Sequence, residues 1–383
     1  MVITVSPSMD DLTNPSNKVT MDDNYHLLNK HQINEVYHNI ETQSNEIKLK
    51  TGKFNLDHSN YKKVYQVEII WWPNVVAMVI LYMAGLYGLY RGMFYAKPLT
   101  IIYMYVMAII AGLGVQCGVH RLWCHRTYRA NRALQYILMA MFTLAFQDNI
   151  YKWSRDHRTH HKYSDTDADP HNINRGFFFS HVGWLLSKKH PDVNKQGALI
   201  DMTDLDRDHL VQFHRRHYMK LVAIIWGVIP TLIPYYLWGE TLWDSYFVCV
   251  MLRYLISLNF AMCINSVAHY WGNKPYDNTI NPTECYVRHM MQGEGFHNYH
   301  HADYGCSEYG PFEVFNLGTL LIDFFAWLGW AYDMRQATPE MVDQRKKRTG
   351  DLSWVKSSRL YELFTVSLFF VALAFPFVLG YLL

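Results

Sequence analysis

Long apolar runs alternate with polar segments along the chain of 383 residues, and four of the runs approach the length of a membrane-spanning helix. A helix needs roughly 20 apolar residues to cross a bilayer. The four candidate spans cover residues 69–90, 98–118, 219–238 and 242–263. Short links, at residues 91–97 and 239–241, join them in pairs. The pattern therefore predicts an all-α integral membrane protein with four transmembrane helices in two hairpins.

Two other apolar runs do not fit this pattern as spans. Residues 134–146 are too few to cross a bilayer, which favours a buried or interfacial helix. Residues 364–383 predict an extra C-terminal hydrophobic helix, either a fifth span or a helix packed on the bundle. Arg253 lies inside the fourth span, where a charge exposed to lipid is costly, so we expect it to face the protein interior or a polar partner.

Basic residues next to the spans predict which side of the membrane the polar segments occupy. They follow the second span and precede the third, at Arg121, Arg126, Arg129, Arg132, Arg207, Arg215 and Arg216. The positive-inside rule places such residues in the cytosol. Two hairpins entering from the cytosol would leave residues 1–68, 119–218 and 264 onward on that side. The polar segments could then form a cytosolic helical cap.

Composition narrows the class of protein and its compartment. The chain is 50% hydrophobic, and its net charge of +2 gives no bias toward nucleic acid. Six cysteines without a CxxC pair fit a reducing compartment better than a disulfide framework. We predict a flexible cytosolic tail at residues 1–60, a main domain at 61–335 and a C-terminal tail at 336–383.

Nine of the 20 histidines form spaced sets beside the spans rather than within them. They are His120 and His125 in HRLWCH, His157, His160 and His161 in HRTHH, the separate His269, and His297, His300 and His301 in HNYHH. Helical positions i, i+3 and i+4 share one face, so each HxxHH set projects its imidazoles together. All the sets flank the spans on the side predicted to be cytosolic, so we expect them to converge.

The number of imidazoles predicts a site for two metal ions. Nine neutral ligands are too many for one tetrahedral zinc and suit two ions with four or five ligands each. Ligand softness alone permits zinc, iron, copper or nickel. Asn265, four residues before His269, could hold a metal-bound water or be an ordinary hydrogen-bonded core residue. The acids near the boxes could orient the histidines or be solvated carboxylates; they are Asp156, Asp165, Asp167, Asp169 and Glu294.

Four motifs carry a resemblance to a known family over most of residues 60–335. They are HRLWCHRTYRA, WSRDHRTHHKYSDTDADPHNINRGFFFSHVGWL, NSVAHYWGNKPYD and GEGFHNYHH. In order and spacing they resemble the membrane-bound fatty acyl-CoA desaturases, the stearoyl-CoA desaturase family. The segment HHADYGCSEYGPFE after the third box departs from the HHxFPxDY pattern usual in that family.

The resemblance implies a function and a set of cofactors and partners. It implies two Fe²⁺ ions held by the nine histidines, with Asn265 reaching one of them through water. It also implies an O₂-dependent acyl-CoA desaturase of the endoplasmic reticulum membrane, with its active site facing the cytosol. Electrons would come from cytochrome b5 and its NADH-dependent reductase, since the chain has no GxGxxG or HPGG motif of its own.

The substrate contacts are predicted in the same way. Arg155, Lys188 and Lys189 stand where the family binds the CoA head group, whose phosphates need cations. Ala108 and Gly112 stand where the family sets the length of the acyl tunnel. Their small side chains either leave room for a chain of about C16 to C18 or serve close helix packing. The resemblance also implies a Delta-9-like product. Three further residues are predicted to contact the substrate: Asn74, Gln147 and Trp153.

Other functions remain open from the sequence. An acyl-chain hydroxylase of the same histidine-box superfamily would use the same ligands. A membrane metal transporter belongs to another class and would place its ligands inside the spans, whereas these histidines flank them. An inactive regulatory paralogue would explain the altered segment after His301, but the full ligand set argues against it.

Overall fold

The computed structural model describes residues 70–285, 293–302, 316–351 and 359–382, and these residues are mostly helical. The predicted tail at residues 1–60 and the unusual segment at 303–313 lie outside these ranges. The helices, numbered in chain order, are α1 (Trp72–Phe94), α2 (Pro98–Cys124), α3 (Arg132–Ala145), α4 (Ile150–Lys162), α5 (Trp184–Leu186), α6 (Pro191–Gly197), α7 (Thr203–Asp206), α8 (His209–Trp238), α9 (Leu242–Tyr270), α10 (His297–His301), α11 (Leu317–Trp327), α12 (Pro339–Thr349) and α13 (Arg359–Leu382).

Four of these helices are long and apolar enough to cross a membrane, which confirms the predicted fold class. They are α1, α2, α8 and α9, with 23, 27, 30 and 29 residues. All are longer than the apolar runs, because a helix continues into polar sequence as long as its backbone hydrogen bonds are made. As a result His120 lies on α2 and His269 on α9, which corrects the prediction that all nine histidines lie outside the long helices.

The links between the paired helices meet at one end of the bundle. The backbone N–H of Lys97 donates to Glu240 over 2.8 Å, and the guanidinium of Arg91 lies 2.6 Å from the carboxylate of Asp244. His120 and His269 lie near the opposite ends of their helices. The two hairpins therefore run in the same direction and carry their histidines to the same end, as predicted.

The shorter apolar runs are helices that contact the bundle. In α3, which begins after an Asn131 cap accepting from the Leu134 N–H, one face buries Leu134 and Phe142 while Tyr136 and Ile137 are exposed, so the buried and the interfacial alternatives both stay open. In α13 the Leu373 carbonyl accepts from the Tyr105 hydroxyl over 2.7 Å. This contact places the C-terminal helix against α2, which is compatible with either a fifth span or a helix packed on the bundle. Arg253 is fully buried, and its Nε donates to the Cys249 carbonyl.

The cap packs against the end of the bundle that carries the histidines. Its core joins α2, α3 and α4 to α11 through side chains such as Leu138, Phe142, Ile150 and Ile322. A short antiparallel pair of strands, β1 (Arg129–Ala130) and β2 (Ala331–Tyr332), ties the segment after α2 to the segment after α11. This core fixes α2 and α4 relative to each other, and both carry histidines.

Candidate metal centre

All nine predicted histidines come together, in two groups. The first group is His120, His125, His157, His161 and His300, and the second is His160, His269, His297 and His301. Within each group the potential ligand atoms lie within 4.8 Å of one another. Side chains from two long helices and two cap helices therefore form a pair of imidazole clusters.

The imidazoles face each other through one nitrogen, Nε2. In the first group His120 Nε2 lies 3.0 Å from His300 Nε2, and His161 Nε2 lies 3.0 Å from His157 Nε2. In the second group the corresponding distance from His269 to His297 is 3.0 Å. The rings of His161 and His301 stack at 4.2 Å and so place the groups side by side. Sets of five and four nitrogen donors suit two adjacent metal ions with room for exogenous ligands.

Two kinds of local structure produce this convergence. On α4 the HRTHH spacing puts three imidazoles on one face, as predicted. The end of α2, Gly114–Cys124, is instead a π-helix, and the His125 N–H donates to the His120 carbonyl five residues earlier. A π-turn brings positions i and i+5 together, which explains how both histidines of HRLWCH reach one site.

Three carboxylates contact the outer nitrogen, Nδ1, of three ligand candidates. Glu294 lies 3.0 Å from His120, Asp169 lies 2.9 Å from His160, and Asp165 lies 3.4 Å from His269. Such partners fix the tautomer and the orientation of a ligating histidine. The remaining acids behave differently, because Asp156 pairs with Lys189 and Asp167 is exposed.

Electrostatics keeps most of the imidazoles neutral and these carboxylates charged. His160 differs, because burial opposes its protonation but Asp169 raises its pKa above the usual value. Burial lowers the pKa of His157, His161 and His300 well below the usual value, and neighbouring imidazoles lower it further. Burial would raise the pKa of Glu294, but His120 and Arg121 together hold it at about 2. Neutral imidazole is the form that binds metal, so most of the donor set fits a pair of metal ions without first losing protons.

A cavity of about 430 Å³ reaches the histidines, and most of the predicted substrate contacts line it. The predicted residues in its wall are Asn74, Gly112, Gln147, Trp153, Lys189 and Asn265, together with His120, His157 and His297. Its volume suits a small molecule or part of a larger one.

Three predicted contacts are not among the lining residues. Arg155 pairs with Asp156 over 3.2 Å, and the ammonium of Lys188 lies 5.5 Å from the ring centre of Trp71. Ala108 lies one helical turn before Gly112 on α2 and does not reach the cavity wall. Their predicted roles in substrate binding stay predictions.

Sequence reasoning missed part of the cavity wall. Lys152 and Asp148 form an ion pair at the cavity, and Trp184, Tyr254 and Met262 also line it. The charge of Lys152, one residue before the predicted substrate contact Trp153, is a sequence signal that could have placed it at the cavity. The backbone of Asp148 has φ +74°, which is rare for a residue other than glycine and leaves no sequence signature.

Comparison with known proteins identifies the family. The profile of the family described as fatty acid desaturase matches residues 96–310. The chain belongs to the fatty acid desaturase family. It is 50% identical to stearoyl-CoA desaturase 5 of Homo sapiens over 292 residues, which cover 75% of this chain and 88% of that protein. The predicted resemblance is thereby confirmed, and the chain is an oxidoreductase of the acyl-CoA desaturase group.

Two relatives from one organism show how far overall identity discriminates. The acyl-CoA Delta-9 desaturase of Acheta domesticus is 48% identical over 294 residues, covering 76% of this chain and 81% of that protein. The acyl-CoA Delta12-desaturase of Acheta domesticus is 49% identical over 291 residues, covering 75% and 81%. Enzymes named for different double-bond positions are thus about equally similar to this chain, so overall identity does not distinguish between those positions.

Proposed function

We propose that this chain uses O₂ to introduce a double bond into a saturated long-chain acyl-CoA, at a centre of two irons held by the nine histidines. The observation that carries the proposal is the pair of imidazole groups at the inner wall of a partly apolar cavity. We assign His120, His125, His157, His161 and His300 to one ion and His160, His269, His297 and His301 to the other. Asn265, in the cavity wall, would bind through a water molecule.

The chemistry requires a strong oxidant and an external electron donor. Bound iron would supply the oxidising power, derived from O₂, that removes hydrogen from an unactivated methylene. Two hydrogens from the acyl chain, with two electrons from the donor and two protons from the solvent, reduce O₂ to two water molecules. We propose cytochrome b5 and its NADH-dependent reductase as the donor, acting on the cytosolic face of the endoplasmic reticulum membrane.

The residues of the chain bind and orient the substrate. Lys189 at the cavity is assigned to the phosphates of CoA, together with Lys188 next to it and Arg155, which pairs with the same Asp156 as Lys189. Gln147 and Trp153 would hold the bend of the acyl chain next to the histidines, and the apolar wall at Leu258 and Met262 would exclude water from it. Glu294, Asp165 and Asp169 keep three of the imidazoles in a fixed orientation.

The preferred substrate is proposed to be about C16 to C18 in length, with a Delta-9-like product. Gly112 in the cavity wall supports this length, because it leaves room that a larger side chain would fill. Relatives named for Delta-9 and Delta12 desaturation are about equally similar to this chain, so the double-bond position is determined by analysis of the product.

Expression in a host without its own desaturase tests the proposal. The wild-type chain should produce a new monounsaturated fatty acid, identified with its double-bond position by mass spectrometry. His161→Ala should abolish the product, because it removes a donor of the first group. His209→Ala serves as the matched control, since His209 is exposed and belongs to neither group. A hydroxylated fatty acid, or no new product, would contradict the proposal.

A further inference from the structure

The indole N–H of Trp184 is buried at the cavity without a hydrogen-bond partner among the described residues. Trp184 lines the cavity, and its Nε1 atom makes no hydrogen bond to any residue described. An indole nitrogen is a donor and never an acceptor. A buried donor that lacks a protein partner destabilises the fold unless something else accepts its hydrogen. An acceptor atom on a ligand in the cavity would give this N–H a partner.

Other polar groups in the cavity wall are also donors, among them the indole of Trp153 and the side-chain amides of Gln147 and Asn265. The Nδ1 atoms of His171 and His297 also have no hydrogen-bond partner among the described residues, but their protonation depends on the tautomer. The ammonium groups of Lys152 and Lys189 are paired with Asp148 and Asp156. What distinguishes Trp184 is that its N–H is buried and has no hydrogen-bond partner among the described residues.

The backbone around Trp184 holds the indole in place. The Leu185 carbonyl accepts from the Asn74 side chain over 2.8 Å, and the Leu186 carbonyl accepts from the Trp71 N–H over 2.8 Å. These two bonds attach α5 to the beginning of α1. The donor is thus presented from a fixed segment, which suits a positioning role.

Trp184 lies between the histidines and the charged part of the cavity. Its ring packs edge-on against His171 at 5.5 Å, and His171 lies 4.3 Å from His160 of the second imidazole group. Three and five residues further along the chain, Ser187 and Lys189 line the same cavity, and Lys189 pairs with Asp156. The indole therefore lies where the charged head of a bound ligand would join its apolar tail.

We propose that the Trp184 N–H donates a hydrogen bond to the thioester carbonyl of the acyl-CoA and so fixes the point from which the chain is measured. This inference rests on the proposed function, which supplies the acyl thioester. The thioester carbonyl is the acceptor at the junction between the polar head and the hydrocarbon. A fixed carbonyl sets which methylenes lie beside the histidines, so Trp184 is a positioning residue for the double bond.

Two ligands that differ only in the thioester carbonyl test the role of this hydrogen bond. Purified Trp184→Phe protein is compared with wild type for binding of stearoyl-CoA and of S-octadecyl-CoA, a thioether without the carbonyl. We expect affinity for the thioester to fall roughly tenfold and affinity for the thioether to stay unchanged. Retained thioether binding also shows that the variant is folded.

Trp226→Phe is the matched control. The Nε1 of Trp226 is likewise buried and makes no hydrogen bond to a described residue, but Trp226 is not among the residues that line the cavity, and its ring packs on Phe146 and Tyr254. This variant should not discriminate between the two ligands. In the desaturation assay, Trp184→Phe should spread the double bond over neighbouring positions, while Trp226→Phe should keep one position.

The outcomes distinguish this inference from the proposed function. Equal losses for thioester and thioether, or no loss for either, would overturn the role of Trp184 while wild-type desaturation still stood. A wild-type protein that neither binds nor desaturates stearoyl-CoA would instead refute the proposed function. Unchanged double-bond position in a Trp184→Phe protein with weakened thioester binding would overturn the measuring role.

Discussion

At the scale of single residues, Asp169 fixes one ligand candidate through its outer nitrogen. Its carboxylate is fully buried, lies 2.9 Å from His160 Nδ1 and accepts the backbone N–H of Asp165. Asp169→Asn keeps the size but removes the charge that orients His160. We expect metal affinity to fall by about 10- to 100-fold, measured as metal retained against a competing chelator.

Asp167→Asn provides the control for that experiment. Asp167 belongs to the same motif but is exposed, so its replacement should leave metal retention unchanged. Equal losses in both variants would show that net charge, and not the contact with His160, governs affinity. No loss in either variant would remove Asp169 from the metal centre.

The sequence predicts at this scale which histidines converge but not which acids contact them. Histidine spacing on α4 is a helical repeat that can be counted. Asp165, Asp167 and Asp169 follow the end of α4, where the chain turns and no periodicity applies. The sequence pattern does not identify Trp184 as a candidate site residue either, because a tryptophan in an apolar stretch is usually a packing residue.

At the scale of secondary-structure elements, α2 combines part of the cavity wall with one end of the metal centre. Gly112 lines the cavity, and His120 is eight residues later on the same helix. Gly112→Ile should shorten the preferred acyl chain, because its side chain would occupy cavity volume. Competition between saturated acyl-CoAs of graded length measures this preference.

A parallel variant, Ala108→Ile, locates the end of the cavity. Ala108 is outside the lining, so its replacement should leave chain length unchanged. A shorter preference in Ala108→Ile would show that the substrate reaches one turn further, as the sequence predicts. Unchanged preference in Gly112→Ile would contradict the assignment of this cavity to the acyl chain.

The close approach of α1 to α9 predicts a strong effect on stability. A Cβ added at Gly88 would collide with the Phe247 carbonyl oxygen, whereas a Cβ at Gly227 on α8 would meet no atom within 4 Å. Gly88→Ala should lower the free energy of unfolding by about 1–3 kcal/mol, and Gly227→Ala should leave it unchanged or slightly raise it. Thermal unfolding of the purified variants measures both, and equal melting temperatures would contradict the tight contact.

Hydropathy predicted the four long helices but not how they end. Apolar composition marks the part of a helix that suits lipid, and it says nothing about continuation into polar sequence. The π-helical end of α2 has no simple sequence signature, so the pairing of His120 with His125 emerges only from the backbone.

At the scale of the whole molecule, both hairpin links lie at one end and all nine histidines lie at the other. Contacts at Lys97–Glu240 and Arg91–Asp244 join the links, and α2 and α9 carry His120 and His269 to the opposite end. The number of spans in the sequence predicted that the histidines lie on one side, because each membrane crossing reverses the direction of the chain. The predicted chain length and double-bond position stay predictions, since relatives named for different positions are about equally similar to this chain.

The most direct test of the central claim is the mass of the product formed by the purified, iron-loaded protein from stearoyl-CoA under ¹⁸O₂, with cytochrome b5 and its reductase. The account predicts a product that has lost two hydrogens, contains no ¹⁸O and requires the donor. It also predicts that His161→Ala forms none of it. A product that has gained ¹⁸O would mean a hydroxylase, and the absence of any product from an iron-loaded protein would contradict the proposed reaction.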